Sequence, residues 1–265
     1  MGRRALLRAG GRATLGLLAA GAVPAVAGVG FGAPTAEAAA PTGGRVFADL
    51  EDDPHRWSWG YAEQGGVAAP ARLVRKPSRS HGALRLGLKG GPGSYPNVRY
   101  QTSVGPAAWA HGFQLSAWFW FDPQQVGWDS TIQALEIGFA RWHADRLWVW
   151  EAQLRFVSVL PYAQPSWHVW GGDQWVPAGM NQHVEGGRWH TLLLQGELHR
   201  DRARYVRLVC DEQAVMPGLE FAPTRRSPSG EAVSVAVQLD GNRAGDPYRV
   251  VIDQVTLLLT AEPPW

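Results

Sequence analysis

Apolar and polar residues alternate with a period of two along most of the chain after residue 44, and no long segment has helical periodicity. Such alternation is typical of strands that bury one face and expose the other. The pattern predicts ten strands, at residues 45–51, 83–88, 97–102, 113–121, 132–140, 146–159, 188–195, 203–211, 232–239 and 249–260. Clusters of Gly, Pro and Asp separate them. Ten strands in one uninterrupted block predict a single antiparallel β-sandwich or jelly roll.

Two local patterns refine this prediction. A turn at 185–187 leads into a strand that begins with Trp189, and the strand at 203–211 follows it. One strand at 46–51 opens the block, and another at 250–257 closes it. The whole arrangement, over roughly residues 45–260, resembles the concanavalin A-like and carbohydrate-binding-module jelly rolls of secreted bacterial proteins. The resemblance implies an all-β fold in which the first and last strands pair with each other.

The first forty residues have the features of an export signal. Arg3 and Arg4 precede a weakly apolar run at 13–32, and the Ala-rich end offers cleavage sites after Ala38 or Ala40. The paired arginines resemble a twin-arginine signal, with an ordinary secretory signal or an uncleaved anchor as alternatives. We therefore predict a signal peptide at 1–40, one β-sandwich domain at 41–265, and a secreted, extracellular or cell-envelope location.

Charge and cysteine content narrow the function classes. The whole chain has a formal charge of +2, but residues 1–38 hold four arginines and one glutamate. The remainder has 21 basic and 22 acidic residues, a net charge of −1, which argues against a nucleic-acid partner. Beyond residue 40 no apolar run has membrane-spanning length. A single cysteine, Cys210, excludes an internal disulfide, and we expect a monomer.

Alternation sorts the strand at 113–121 into two different faces. One face is wholly apolar and should be core. The other carries Gln114, Trp118 and Trp120, a mixture of aromatic rings and hydrogen-bonding groups that suits a pyranose. We predict a saccharide-binding face here, with the alternative that a loop covers the tryptophans.

The strand from residue 146 divides in the opposite sense. Trp148 and Trp150 share the apolar face and should be core, whereas Glu151, Gln153 and Arg155 face outward or into a groove. If this strand neighbours the strand at 113–121 in one sheet, Gln153 and Arg155 would lie beside the outward tryptophans. A solvated polar face without a ligand is the alternative.

Two outward glutamates suggest catalysis as a second hypothesis. Glu136 lies between the small residues Ala134 and Gly138, which leave room above its carboxyl group. With Glu151 it would supply the two carboxyl groups of a glycoside hydrolase. A polysaccharide lyase would instead need a base and a cation, for which the sequence offers His190, Tyr205, Arg155 and Arg207.

Acidic residues at the two ends of the block predict a structural calcium ion. Asp49 and Glu51 belong to the first strand and Asp253 to the last, so pairing of these strands would bring oxygen ligands together. Scattered histidines and the single cysteine give no support for zinc. Two tryptophan-rich segments, 57–61 and 167–175, are predicted as loops that rim a groove or cap the sandwich.

The leading prediction is a secreted carbohydrate-binding β-sandwich with an aromatic-lined concave face and a poly- or oligosaccharide as partner. Its alternatives are a polysaccharide-degrading enzyme of the same fold and a non-catalytic cell-envelope structural or interaction protein.

Overall fold

The computed structural model describes residues 43–90, 95–126, 131–143, 145–156, 165–199, 201–225 and 231–263. The predicted signal peptide lies outside these ranges. The strands are β1 Arg45–Phe47, β2 Ser58–Glu63, β3 Ala68–Val74, β4 Ala83–Leu88, β5 Asn97–Gly105, β6 Gly112–Phe121, β7 Ile132–His143, β8 Arg146–Arg155, β9 Ser166–Trp170, β10 Trp175–Asn181, β11 Trp189–Leu198, β12 Ala203–Cys210, β13 Gln213–Val215, β14 Glu220–Phe221, β15 Thr224–Arg225, β16 Ala232–Gly241 and β17 Tyr248–Thr260. Two short 3₁₀ turns lie at Pro54–Arg56 and Pro123–Gln125. In the described residues, no helix is long and apolar enough to cross a bilayer.

The strands form two antiparallel sheets. The first sheet has the order β13-β12-β11-β6-β17-β4-β3, with β1 beside β17 and β14 beside β12. The second sheet has the order β10-β9-β8-β7-β16-β5-β2, with β15 beside β8. Strands β1 and β17 pair from Arg45 with Leu259 to Phe47 with Leu257, so the predicted pairing of first and last strands is confirmed.

The core lies between the sheets and is filled by the apolar faces that alternation identified. From the first sheet, β6 contributes Phe113, which stacks on Phe139 of the second sheet at 4.4 Å between ring centroids. Trp150 meets Phe113 edge-on at 5.2 Å. Trp148 and Trp150 are 3% and 0% exposed, which confirms their predicted core position.

Each of the ten predicted strands is present, with ends that differ by a few residues. The prediction of loops at 57–61 and 167–175 is wrong, because most of these residues belong to β2, β9 and β10. Their strands are short and lie toward the edge of the second sheet, so they show too few alternating positions for a period to be recognised. Trp167 is fully buried in the core. Trp57 is also buried, and its indole N–H donates to the carbonyl of Leu50 at 2.8 Å.

Candidate functional site

The register of the second sheet aligns five polar residues in one row across five neighbouring strands. In spatial order, the row is Arg99, Gln238, Glu136, Gln153 and His168, each directly opposite the next. All five lie on the face of the sheet that points away from the core. Because neighbouring strands are about 4.8 Å apart, the row is about 19 Å long.

A second set of polar residues lies on the same face of the sheet, two residues away from this row along the strands. Asp240 and Arg155 are both opposite Ala134, and Glu151 is opposite Gly138. The small residues leave space for these long side chains, as predicted for Glu136. A Cβ atom on Gly138 would lie only 2.3 Å from Cγ of Glu151, so the Glu151 side chain passes over this glycine. We call the eight residues of the row and its flanks the polar face, namely Arg99, Glu136, Glu151, Gln153, Arg155, His168, Gln238 and Asp240.

The side chains of the polar face are much less exposed than those of a solvated sheet surface. Glu136 and Gln153 are each 4% exposed, Glu151 and Gln238 are each 7% exposed, and Asp240 is 8% exposed. Carboxylates and amides are rarely buried this far unless they are paired, because desolvation of an unpaired polar group is costly. Their burial on the side of the sheet away from the core marks this face as a candidate site.

Hydrogen bonds and an ion pair link neighbouring side chains of the polar face. The amide of Gln153 donates to Oε1 of Glu136 at 2.7 Å, and Nε of Arg155 donates to the side-chain oxygen Oε1 of Gln153 at 3.1 Å. Arg99 forms an ion pair with Glu151. These contacts hold the side chains of both glutamates in place.

Burial raises the pKa of two carboxyl groups of the polar face. It raises the pKa of Glu136 well above its usual range, and repulsion by Asp240 and Glu151 raises it further. It also raises the pKa of Asp240, to about 6, although its hydrogen bonds to Glu136 and Gln238 oppose the rise. A carboxyl group with a strongly raised pKa, Glu136, therefore lies beside Glu151, which pairs with Arg99.

Glu136 and Glu151 are diagonal neighbours on adjacent strands. Glu136 is opposite Gln153, and Glu151 is two residues from Gln153 on the same face. Diagonal neighbours in an antiparallel pair are about 7 Å apart. This spacing is between backbone positions, and the two carboxyl groups are close enough for the charge of Glu151 to raise the pKa of Glu136.

His168 adds a neutral imidazole to one end of the row. Burial lowers the pKa of His168, and the positive charge of Arg155 lowers it further. Gln153 is directly opposite His168 across the β8–β9 pair. A neutral histidine can accept a proton from a bound ligand, and the adjacent guanidinium and amide can bind an anionic group of the same ligand.

The prediction that Gln153 and Arg155 lie beside Trp118 and Trp120 is wrong. The tryptophans belong to β6 in the first sheet, whereas β8 belongs to the second. Because both strands send their apolar residues into the shared core, their outward residues lie on opposite sides of the sandwich. The predicted ligand set is therefore split between two faces.

The outer face of the first sheet carries Gln114, Trp118 and Trp120, and we call it the tryptophan face. The guanidinium of Arg79 lies 3.6 Å from the centroid of the Trp118 ring, so this ring is already stacked on a cation. Gln195 donates its amide to the Gln114 side chain at 2.8 Å. Stacking of these tryptophans on a sugar stays a prediction.

The lyase residues predicted with Arg155 do not gather around it. His190 is 1% exposed, and its Nδ1 lies 2.8 Å from Oδ2 of Asp211. The Tyr205 hydroxyl is in the core and bonds the backbone of Glu151, accepting from its N–H at 2.8 Å. Arg207 is exposed on β12 of the first sheet. His190 and Tyr205 are therefore structural, and the histidine of the polar face is His168.

The three predicted calcium ligands do not form an oxygen cage. Both carboxylate oxygens of Asp253 accept hydrogen bonds, including one from Oγ of Ser80 at 2.8 Å. Glu51 accepts from the backbone N–H groups of Gln254 and Val255. Asp49 is exposed, and within the described ranges no three His, Cys, Asp or Glu residues converge as metal ligands. Donors that point at these carboxylates do not fit a cation there, and calcium stays a prediction without support from the geometry.

Sequence reasoning missed four members of the polar face, namely Arg99, His168, Gln238 and Asp240. Arg99 and Gln238 lie on predicted strands, where alternation already placed them opposite apolar neighbours, and Asp240 directly follows the predicted strand at 232–239. Only the order of the strands in the sheet brings them beside Glu136. His168 was missed because β9 was predicted as a loop.

Comparison with known proteins gives matches at the level of structure. No family model and no curated protein sequence matches the chain. The endo-β-1,4-glucuronan lyase from the fungus Trichoderma reesei is similar in structure, with a TM-score of 0.50 and 14% identity over 81% of this chain and 95% of that one. The match to lectin II from Ulex europaeus has a TM-score of 0.45 and 9% identity, and it covers 82% of this chain and 98% of the lectin chain. The match to the family 11 carbohydrate-binding module from Clostridium thermocellum has a TM-score of 0.41 and 12% identity, and it covers 81% of this chain and 95% of the module.

The likeness to the glucuronan lyase and the order of the two sheets confirm the predicted fold. The chain is an antiparallel β-sandwich of the jelly-roll type. At this level of identity the likeness concerns the fold, and the chemistry of the site rests on its own residues.

Proposed function

We propose that this protein is a glycoside hydrolase that binds a polysaccharide on the polar face and cleaves it with Glu136 and Glu151. The observation that carries the proposal is the pairing of two unlike carboxyl groups on diagonal neighbours. Burial raises the pKa of Glu136 well above its usual range, and Arg99 forms an ion pair with Glu151. Hydrolysis of a glycosidic bond uses one protonated and one ionised carboxyl group on either side of the bond.

Each residue of the network has a role in this proposal. Glu136 is the general acid that donates its proton to the leaving glycosidic oxygen. Glu151 is the ionised partner, which attacks the anomeric carbon or activates a water molecule. Asp240 repels negative charge on Glu136, and Arg99 binds and orients the carboxylate of Glu151.

The test is release of reducing ends from a panel of neutral and uronate-containing polysaccharides. We expect wild-type protein to release them, and Glu136→Gln and Glu151→Gln to lose about 10²–10⁴-fold in rate. Gln114→Glu, which alters the opposite face, is the matched control and should retain the wild-type rate. Full activity in either glutamine variant would overturn the assignment.

Lyase chemistry is the second candidate, because His168 is neutral beside Arg155 and Gln153. In β-elimination, Arg155 and Gln153 would bind the uronate carboxylate while His168 removes the proton from the adjacent carbon; a carbon–carbon double bond forms as the glycosidic C–O bond breaks, and the leaving oxygen takes up a proton from the imidazolium or from water. Ultraviolet absorbance of unsaturated products, lost in His168→Ala, would favour this candidate over hydrolysis. The similar glucuronan lyase acts on a uronate polymer.

Binding without cleavage, the leading prediction from sequence, is distinguished in the same experiment. A polysaccharide that binds wild-type protein without release of reducing ends or unsaturated products would assign a lectin-like role. The proposed roles of Glu136 and Glu151 would then be wrong.

A further inference from the structure

We propose that Trp170 and Trp175 form a sugar-stacking subsite beside the polar face, so that a bound saccharide chain runs across the strands from β8 toward β10. This inference rests on the proposed carbohydrate function of the polar face, which it extends to the path of the substrate.

The two tryptophans face outward on the same side of the second sheet as the polar face. Along β9, Trp167 and Val169 are fully buried, whereas His168 and Trp170 alternate with them and are half-buried. Trp175 on β10 is directly opposite Trp170 and is also half-buried. The two rings meet edge-on with centroids 5.4 Å apart and planes 67° apart.

Their exposure separates this pair from the tryptophans of the core. Trp148, Trp150 and Trp167 are at most 3% exposed. Half-buried aromatic rings that adjoin a polar site offer an apolar surface with an N–H group at its edge. A pyranose matches this surface, because it has an apolar C–H face and a rim of hydroxyl groups.

Strand register ties this pair to the proposed catalytic carboxylate. Ala152 is opposite Val169 across the β8–β9 pair, so the residues that follow in this register, Glu151 and Trp170, are also neighbours. Trp170 is therefore one strand from Glu151 and two strands from Glu136, and neighbouring strands are about 4.8 Å apart. Trp175 lies one strand farther in the same direction.

The spacing defines the kind of ligand. A single sugar bound at Glu136 and Glu151 would not reach Trp175 on the third strand from β7. An oligosaccharide or polysaccharide that crosses the strands would place one ring on the carboxyl pair and another on the tryptophans. We therefore expect the tryptophans to contribute to the binding of long chains and to have little effect on a single sugar.

The experiment measures binding by affinity electrophoresis in gels that contain each polysaccharide of the panel, with Trp170→Ala and Trp175→Ala in the full chain. We expect each variant to bind about 10-fold more weakly than wild type, as is typical for loss of one aromatic platform. Trp170→Phe, which keeps a ring, should recover part of the affinity. Trp120→Ala is the matched control, because it removes a half-buried tryptophan from the opposite sheet. Thermal unfolding of each variant checks that the fold is intact.

The outcomes separate this inference from the proposed hydrolysis. Wild-type affinity in Trp170→Ala and Trp175→Ala, or no binding of any polysaccharide by wild type, would overturn the subsite. If Trp170→Ala loses affinity while Glu136→Gln still releases reducing ends at the wild-type rate, the subsite stands and the catalytic assignment falls. Loss of rate in Glu136→Gln with full affinity in both tryptophan variants would give the reverse result.

Discussion

The two outer faces of the sandwich use their polar residues in opposite ways. On the tryptophan face, Trp118 is stacked by Arg79, and Gln114 pairs with Gln195 in a local contact between neighbouring strands. On the polar face, three carboxyl groups, two guanidinium groups and two amides lie close together. Hydrogen bonds and an ion pair link neighbouring members, and the carboxyl and amide side chains are buried. Exposed aromatic rings are easily recognised in a sequence, but a cluster of buried charged groups is stronger evidence for a functional site. Burial of charged groups destabilises the fold, and such groups are concentrated at functional sites.

Substitution of Gly138 should give a large effect on the polar face, through the position of Glu151. An alanine Cβ would lie 2.3 Å from Cγ of Glu151 and 2.6 Å from the carbonyl oxygen of Trp150, so Glu151 must move. We expect Gly138→Ala to lower the rate of cleavage by about 10²-fold, since displacement of a reacting group by 1 Å can cost that much. Initial rates of reducing-end release measure it.

Gly87→Ala is the matched control, because Gly87 lies in a strand of the first sheet and its added Cβ would meet Ala69 at 3.2 Å. An equal loss of rate in both variants would mean that general destabilisation, rather than the position of Glu151, lowers the rate.

An acidic group that packs against the first sheet should control stability instead of catalysis. Burial raises the pKa of Glu51 from 4.5 to about 7. The folded state therefore holds this proton more tightly than the unfolded state. Its contribution to the free energy of unfolding is fully present below pH 4.5 and is lost as the pH rises through 7, with a change of about 3 kcal/mol.

Denaturant unfolding of wild type and Glu51→Gln between pH 4.5 and 8 measures this change as the difference between the two proteins. Asp52→Asn, which alters an exposed neighbour, should leave the pH dependence unchanged. A constant difference between wild type and Glu51→Gln across this range would contradict the prediction.

Much of the fold could be predicted from the sequence, and the site could be predicted only in part. Alternation assigned Trp150 to the core and Glu136 to the outside because the period of a strand is a local property. It could not place β6 and β8 in different sheets, since sheet order depends on long-range pairing. His168 was missed for a related reason, because β9 has only five residues and shows too short a pattern.

Removal of the charge on Asp240 should shift the pH profile of cleavage. Repulsion by Asp240 contributes to the raised pKa of Glu136, after burial. If protonated Glu136 is the general acid, activity falls as the pH rises through its pKa. Asp240→Asn lowers this pKa, so the alkaline limb of the rate profile should move to lower pH.

Rates of reducing-end release over a range of pH give the position of that limb. Glu231→Gln, in which an exposed glutamate loses its contact with His143, is the control and should leave the limb in place. An unchanged or alkaline-shifted limb in Asp240→Asn would show that another group supplies the proton.

Substitutions on the tryptophan face should have the smallest effect on cleavage. Their kinetics show whether the tryptophan face binds the substrate in addition to the polar face. Because Trp118 is stacked on Arg79 and lies on the opposite sheet from Glu136, Trp118→Ala and Trp120→Ala should leave both the cleavage rate and its KM within about twofold of wild type. Half-buried aromatic side chains still contribute apolar contacts, so a modest decrease in thermal stability is expected. Steady-state kinetics on the polysaccharide that wild type cleaves, with melting curves of the same samples, measure the two effects. A large increase in KM for either variant, at unchanged kcat and stability, would mean that the tryptophan face also binds the substrate, as its composition predicted.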